Sequence, residues 1–271
     1  MLPSSSNNPF ESWYAALERR HLSSLTFGEV RRAVTALSSI YVERRSQLST
    51  GAALDGRGKR AAFALFYSPL HFLTIQGIVR HLRIHAPPPE RILDLGCGTG
   101  VAGAAWAIET QRRPDLIGID RNEWAVEEAR WTYASLELRG SASRGRLEEL
   151  PHARAGDAIL AAFTVNEMEA EGRDRLLPRL LDCFRQGASI LVVEPIARRG
   201  FPWWNRWTES FQSLGGRQDE WRFPANLPET LNLFSKASGL DHRELKAKSL
   251  WLPAAGRRPI TSSSRDDSLP E

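Results

Sequence analysis

The chain has 271 residues, of which 42% are hydrophobic and 25% are charged, and its formal net charge is +4. A chain of this length buries roughly 70 to 75% of the surface that it exposes when unfolded, which is enough for one large domain that folds unaided. The two cysteines, Cys97 and Cys183, exclude a disulfide framework or a zinc ribbon within the chain, and we expect no metal site.

Both ends of the chain are poor in apolar residues. Residues 1–9 and 256–271 are rich in Ser, Pro and charge, which predicts a flexible N-terminus and a disordered tail. The opening residues lack the basic and apolar regions of a signal peptide, and the sequence shows no uninterrupted apolar run of the roughly 18 residues that a membrane span needs. We therefore expect a cytoplasmic protein that does not contact a membrane.

Residues 10–88 are predicted to form a helical N-terminal region. Thr26 and Glu29 make a capping box, which apolar residues at helical spacing follow. Ser68-Pro69 predicts the N-cap and first-turn proline of a further helix that runs to about Ile84. The stretch APPPE then ends the helical region.

Residues 89–255 form the predicted main domain, in which short apolar runs alternate with helical stretches. The predicted strands are RILDL, LIGID, DAILAAF and SILVVE, with HRELKAKSLWL as a final strand. Alternation of this kind predicts an α/β fold with a mostly parallel, doubly wound sheet, to which the N-terminal helices are an appendage. Ligands of such sheets bind beyond the carboxyl ends of the strands.

The stretch RILDLGCGTGVAGAAW places an acid, Asp94, at the mouth of a glycine loop. Gly98, Gly100 and Gly103 match the dinucleotide fingerprint, but the same loop can be interpreted as Asp94 followed by glycines on alternate positions. A carboxylate near the helix N-terminus would repel a pyrophosphate, whereas it would attract a ligand with a cationic group. Electrostatics therefore favours the second interpretation.

The run LDLGCGTG, with Asp120 ending the next strand, resembles the first motif of the class I S-adenosylmethionine-dependent methyltransferases. The resemblance covers about residues 90–195 and implies a Rossmann-like methyltransferase fold with S-adenosylmethionine as cofactor. It implies that Asp120 binds the ribose hydroxyls, and that the glycine loop and the two residues that follow Asp120 bind the rest of the cofactor. The implied cofactor-binding residues are Asp94, Leu95, Gly96, Cys97, Gly98, Thr99, Gly100, Asp120, Arg121 and Asn122.

Two further stretches are compared with this class. Enzymes of this class often have an acidic residue near the adenine of the cofactor. The comparable stretch here, GRLEELP, has Arg146 at that place. Glu148 or Glu149 could substitute for the acid, or both could belong to a solvated face. After the fourth strand, FTVNEM departs from the pattern of the enzymes that methylate exocyclic amines of bases. Asn166 and Glu167 are candidate catalytic residues there, Glu167 as the acid or base, although Asn166 is equally well interpreted as a helix cap.

The order of segments also resembles, more loosely, the small-ribosomal-subunit methyltransferase-like family. LVVEPIARRGF places Glu194, Pro195, Gly200 and Phe201 near that family's pattern after the fifth strand. The family's cysteine cluster is missing here, so no iron-sulfur centre is carried over. The resemblance implies ribosomal RNA or the small ribosomal subunit as a possible partner.

The segment RRGFPWWNRW mixes arginines with aromatic residues. Trp203, Trp204 and Trp207 either stack on bases or roof an acceptor pocket, or two of them pack into the core while Arg206 stays solvated. Tyr67 and His71 either belong to a lid over the cofactor or pack within the fold.

The sequence as a whole predicts a methyltransferase that acts on an unidentified acceptor, whether RNA, protein or a small molecule. The alternative is a ribosome small-subunit assembly or binding factor of the same fold with little or no catalysis. A nicotinamide dehydrogenase is a distant third hypothesis, which rests on the formal dinucleotide fingerprint alone.

Overall fold

The computed structural model describes residues 8–43, 54–196, 201–237, 239 and 242–254. Its helices are α1 (Pro9–Leu22), α2 (Phe27–Glu43), α3 (Arg57–Ala62), α4 (Ser68–Leu82), α5 (Val101–Glu109), α6 (Glu123–Ser135), α7 (Ala170–Arg185), α8 (Trp204–Gln212) and α9 (Glu229–Ala237). Its strands are β1 (Arg91–Leu95), β2 (Asp115–Asp120), β3 (Gly140–Arg144), β4 (Ala158–Ala162), β5 (Ser189–Glu194), β6 (Arg217–Pro224) and β7 (Glu244–Leu252).

The strands form one sheet of seven in the order β3-β2-β1-β4-β5-β7-β6. The first five pair in parallel, while β7 runs antiparallel to β5 and β6 antiparallel to β7. Neighbouring residues of β1 belong to different cores, Ile92 on one face of the sheet and Leu93 on the other. The predicted α/β fold with a mostly parallel, doubly wound sheet is confirmed.

The N-terminal helices share a core with one face of the sheet. Trp13 of α1, Leu37 of α2 and Phe72 of α4 are fully buried in the same cluster as Trp106 of α5. An ion pair also joins this region to the main domain, since the Arg20 guanidinium lies 2.8 Å from the Glu128 carboxylate on α6. The helical region is therefore integral to the packing, although the boundary near residue 88 stays a prediction.

The predicted helix start at Ser68-Pro69 is wrong. A π-turn, Phe63–Tyr67, joins α3 to α4, and the helix runs without a break from Arg57 to Leu82. Pro69 has no N–H for the carbonyl of Leu65, four residues earlier, but the buried Tyr14 hydroxyl of α1 donates to that carbonyl at 3.3 Å. The tertiary contact replaces the missing backbone bond, so the proline does not end the helix.

The Tyr14 contact leads to a stability prediction. Tyr14→Phe is expected to lower the free energy of unfolding by about 1 to 3 kcal/mol, because it removes the tyrosine donor from the buried Leu65 carbonyl. Chemical denaturation of both proteins measures this loss. In a Pro69→Ala background, in which residue 69 regains its N–H, the same change should cost less. An equal loss in both backgrounds would contradict the proposed replacement.

The joined helix also bears on the membrane expectation. Among the described residues, Arg57–Leu82 is long and apolar enough to cross a membrane by length and composition, because α3, the π-turn and α4 form one continuous helix. However, 67% of its most apolar window is buried inside the molecule, as in a core helix. The cytoplasmic location stays a prediction.

Several boundaries differ from the sequence predictions. The Asn8 side chain caps α1 and Pro9 begins it, so the predicted flexible N-terminus is wrong at these two residues, while residues 1–7 and the predicted tail 256–271 lie outside the described part. The capping box of α2 is confirmed, with the Thr26 amide donating to Glu29 at 2.8 Å. Helix α8 and the strands β3 and β6 were not predicted. Strand β6 alternates exposed and half-buried residues at the edge of the sheet, so its apolar signal is weak.

Candidate active site

A cavity of about 760 Å³ opens at the carboxyl ends of β1, β2 and β4, within the range of small-molecule sites. Residues of the glycine loop and of the turns after β2 and β4 form one side. Helical residues, including Phe63, Tyr67 and His71, form the other. The N-terminal helical region thus contributes part of the cavity wall, although most of the lining residues belong to the main domain.

The glycine loop wraps tightly around the end of β1. The amides of Gly96 and Cys97 both donate to the Ile119 carbonyl, at 2.8 and 3.0 Å, and Gly96 has a φ of 65°. A Cβ at Gly96 would lie 2.1 Å from the Thr164 hydroxyl, so only glycine fits there. The predicted residues Gly96, Cys97, Gly98 and Thr99 line the cavity.

Asp120 supports this loop from the end of β2. One carboxyl oxygen accepts from the Gly98 amide at 3.0 Å, and the other from the Asn122 amide at 2.8 Å. Burial raises the pKa of Asp120, although these hydrogen bonds and the Arg121 charge oppose the shift. Asp120, Arg121 and Asn122 all line the cavity as predicted, and the Asn122 side chain also caps α6 through the amide of Ala125.

Asp94 does not line the cavity, and the expectation that it faces a ligand is wrong. Its side chain is 1% exposed and accepts a hydrogen bond from the Gly103 amide at 2.9 Å. This bond anchors the first turn of α5. A Cβ at Gly103 would lie 2.8 Å from this carboxylate, which explains the third glycine of the fingerprint without a dinucleotide. Burial raises the pKa of Asp94 to about 7. Leu95 and Gly100 are likewise absent from the cavity wall.

A short 3₁₀ turn, Val165–Glu167, carries the two predicted catalytic residues. The Asn166 amide donates to the Glu194 carboxylate at 3.0 Å, and the Asn166 side chain donates to the other oxygen of Glu194. Glu194 is fully buried, which raises its pKa to about 8. Asn166 therefore binds the end of β5, and the helix-cap interpretation is wrong because α7 begins after Glu169.

Glu167 lines the same cavity as the glycine loop and the aromatic helical residues. Burial raises its pKa to about 7, with the Arg121 charge lowering and the Asp120 charge raising it. In the described part of the chain its carboxyl group has no hydrogen-bond partner. A carboxyl group with this pKa suits proton transfer near neutral pH.

The helical side of the cavity is aromatic. The His71 ring stacks on Phe163 with centroids 4.0 Å apart and an interplanar angle of 15°. Burial lowers the pKa of His71 to about 3, so the imidazole is neutral. Phe163 has a φ of 58°, a costly conformation for a bulky residue, and it lies directly after β4. Tyr67 and His71 thus line the cavity, whereas Phe63 and Phe163 were not singled out from the sequence.

The stretch after β3 contributes Arg146, Leu147 and Glu148 to the cavity wall, while Glu149 is exposed outside it. Arg146 and Glu148 form an ion pair of 2.9 Å. The structure places no buried acid in the described stretch 145–151, so the adenine assignment of these residues stays a prediction.

The aromatic-arginine segment does not form a stacking platform. Trp204 and Trp207 are buried on α8, and Arg206 lies 2.6 Å from Asp174 at the surface. The Lys248 ammonium covers the Trp204 ring at 3.9 Å. The alternative in which two tryptophans pack into the core while Arg206 stays solvated is therefore confirmed, and base stacking by Trp204 and Trp207 is wrong. Arg198 and Arg199 lie outside the described residues.

Comparison with known proteins identifies the family of the central region. Residues 92–187 match the family model described as a methyltransferase domain. The chain is 33% identical to trans-aconitate 2-methyltransferase from Pseudomonas aeruginosa over 129 residues, 47% of this chain and 43% of that protein. It is 32% identical to the human tRNA (uracil-5-)-methyltransferase homolog B over 109 residues, 40% of this chain and 16% of that protein. The chain thus spans less than half the length of these relatives.

The fold resembles that of a solved methyltransferase. The plantazolicin methyltransferase BamL, solved in complex with a triazolic desmethylPZN analog and SAH, superposes with a TM-score of 0.50 at 13% identity. The match covers 82% of this chain and 97% of that one. It supports the Rossmann-like methyltransferase fold.

Proposed function

We propose that this chain, whose residues 92–187 are a methyltransferase domain of the class I type, transfers a methyl group from S-adenosylmethionine to an acceptor. One observation carries the proposal: Asp120, the glycine-loop backbone and Glu167 border a single cavity. When bound, S-adenosylmethionine would supply an intrinsically activated sulfonium methyl. The chain then has to bind, orient and desolvate the reactants, and to accept a proton where the acceptor carries one.

The residues present fit this cofactor. Gly96 and Gly98, which carry no side chain, let a ligand approach the loop backbone. Asp120 retains lone pairs beyond the two that its backbone donors use, so its carboxylate can accept hydrogen bonds from ribose hydroxyls. Arg121 and Asn122 would border the adenosine, with Arg146 and Leu147 on its far side. Asp94 acts indirectly in this proposal, because it anchors the helix that follows the loop.

Glu167 is the proposed proton acceptor, and Asn166 positions it. The bonds from Asn166 to Glu194 fix the turn on which Glu167 lies. A carboxylate without a protein donor of its own is free to accept the acceptor's proton.

The cofactor proposal predicts a loss of affinity in Asp120→Ala. Removing two charged hydrogen bonds of roughly 1.5 to 3 kcal/mol each, one to the ligand and one to the loop, should weaken binding of S-adenosylhomocysteine at least tenfold in isothermal titration calorimetry. Asp115→Ala is the matched control, because Asp115 lies exposed at the opposite end of β2. Equal affinity of the Asp120 and Asp115 variants would contradict the ribose assignment. A wild-type protein that binds no such ligand would contradict the function.

The acceptor remains to be assigned within this proposal. The relatives act on different acceptors by name, and the chain spans too little of either to transfer one. A ribosomal RNA or small-subunit partner is the weaker proposal, because of the arginines that motivate it Arg206 pairs with Asp174, while Arg198 and Arg199 lie outside the described residues. The non-catalytic alternative is not favoured, since Glu167 lies in the cavity with a raised pKa suited to proton transfer.

A further inference from the structure

We propose that the methyl acceptor is a small planar aromatic alcohol, which lies against Phe63, Tyr67, His71 and Phe163 and gives its hydroxyl proton to Glu167. The inference rests on the proposed function and names the substrate class of the same site. It follows from the aromatic wall, the pairing of the cationic side chains, and the position of Glu167.

The aromatic wall is continuous along one helix face. Phe63, Tyr67 and His71 follow one another at spacings of four residues across the π-turn, with neighbouring ring centroids 6.1 and 6.4 Å apart. His71 extends this face onto Phe163 through the 4.0 Å stack. Flat rings bind such faces by stacking and by burial of apolar area, and a neutral imidazole adds a polar edge. An aromatic ligand therefore suits this side of the cavity.

The cationic side chains of the cavity wall lie beside carboxylates. Arg146 and Arg175 both contact Glu148, at 2.9 and 3.2 Å. Lys246 lies 3.1 Å from Glu244, and the charge of Arg121 acts on Asp120 and Glu167. A carboxylate or phosphate on the acceptor would need a cation that is not already compensated. These pairs favour an uncharged acceptor.

Glu167 adjoins the aromatic wall. Phe163 follows β4 directly and the turn that carries Glu167 begins two residues later, while the Asp120 and Arg121 charges act on Glu167 from the cofactor-loop side. An acceptor stacked on the wall would thus present its polar atom at the boundary between the two sides. A hydroxyl benefits from a carboxylate there, whereas a carboxylate acceptor is already ionised at neutral pH and needs no base.

The reaction balances with these groups alone. The hydroxyl proton passes to a Glu167 oxygen, and an oxygen lone pair of the acceptor forms the new O–C bond to the methyl carbon. The S–C bond breaks with its electron pair remaining on sulfur, which loses its positive charge. The products are an aryl methyl ether, a thioether and one proton, which Glu167 releases to solvent.

A binding experiment tests the acceptor class without turnover. The protein, saturated with S-adenosylhomocysteine, is titrated calorimetrically with 2-naphthol and, separately, with 2-naphthoate, which replaces the hydroxyl with a carboxylate. We expect 2-naphthol to bind at least tenfold more tightly. His71→Ala should weaken 2-naphthol at least tenfold, while His71→Phe, which keeps a flat ring on Phe163, should stay within threefold of wild type. Phe27→Ala, at an exposed aromatic residue outside the cavity wall, is the control and should change nothing.

The outcomes separate this inference from the proposed function. If S-adenosylhomocysteine binds but 2-naphthoate binds as tightly as 2-naphthol, or neither binds, the acceptor class is overturned while the cofactor assignment stands. If S-adenosylhomocysteine itself fails to bind, the proposed function is overturned.

A second experiment classifies the product. The enzyme is incubated with methyl-labelled S-adenosylmethionine and a whole-cell extract, and the label is followed by solvent extraction, mild alkali, nuclease and protease. We expect an extractable small product that survives all three treatments, as an aryl ether does. Alkali-labile label would indicate a methyl ester, and label in RNA or protein would indicate a macromolecular acceptor. Either result would overturn the inference but leave the methyltransferase activity intact.

Discussion

Gly96→Ala is expected to abolish cofactor binding and to destabilise the fold. The residue has a φ of 65°, which costs an alanine roughly 1 to 2 kcal/mol, and its Cβ would lie 2.1 Å from the Thr164 hydroxyl. Relieving that overlap has to move either the loop or the turn after β4, at about 1 to 3 kcal/mol more. Both segments line the cavity. We therefore expect the dissociation constant of S-adenosylhomocysteine to rise at least a hundredfold and the free energy of unfolding to fall by about 2 to 5 kcal/mol.

Gly215→Ala separates the steric effect from the backbone effect. Gly215 has a φ of 85°, but a Cβ there would meet nothing within 4 Å. This variant should lose only about 1 to 2 kcal/mol of stability and bind the cofactor product like wild type. Calorimetric titration and chemical denaturation of both variants provide the comparison. If Gly96→Ala matched Gly215→Ala in both measurements, the loop would not be part of the cofactor site.

The fold and the cofactor side of the site were predictable because they depend on local pattern. Short apolar runs between helical stretches predicted the parallel strands, and the glycines with Asp120 predicted the cavity at their carboxyl ends. The direction of the Asp94 side chain was not predictable in this way. It depends on α5 packing over β1, which brings the Gly103 amide within 2.9 Å, nine residues along the chain.

The acceptor side of the site was less predictable because it depends on contacts between distant segments. The π-turn that presents Phe63 and Tyr67 contains Leu65, whose carbonyl accepts from the Tyr14 hydroxyl of α1, 51 residues earlier. The burial of Trp204 similarly follows from its contacts with Lys248 and with Gln218 of β6, a strand that the sequence pattern does not show. Propensity alone therefore predicted a cap at Ser68 and left the choice between a stacking platform and core packing open for the tryptophans, and tertiary packing decides both.

Glu167 should make the rate of methyl transfer depend on pH in the neutral range. Its pKa is raised to about 7 by burial, and only the ionised carboxylate can accept a proton. Below pH 7 the group is increasingly protonated, so the rate at saturating cofactor should fall about tenfold per pH unit. Above pH 7 the carboxylate is ionised and the rate should reach a plateau. A measurement of kcat as a function of pH tests this dependence directly.

Glu167→Gln should remove both the general base and the fall of the rate below pH 7. General-base catalysis contributes roughly 10² to 10⁴ in rate, so kcat should fall by that factor and no longer rise through pH 7. Binding of S-adenosylhomocysteine should stay within threefold of wild type, because the amide keeps the shape of the side chain. Glu149→Gln, at an exposed acid outside the cavity wall, is the control and should retain the wild-type profile. If Glu167→Gln kept the same pH dependence, the titrating group would have to be another buried acid of the site, with Asp120 the next candidate because its pKa is also raised.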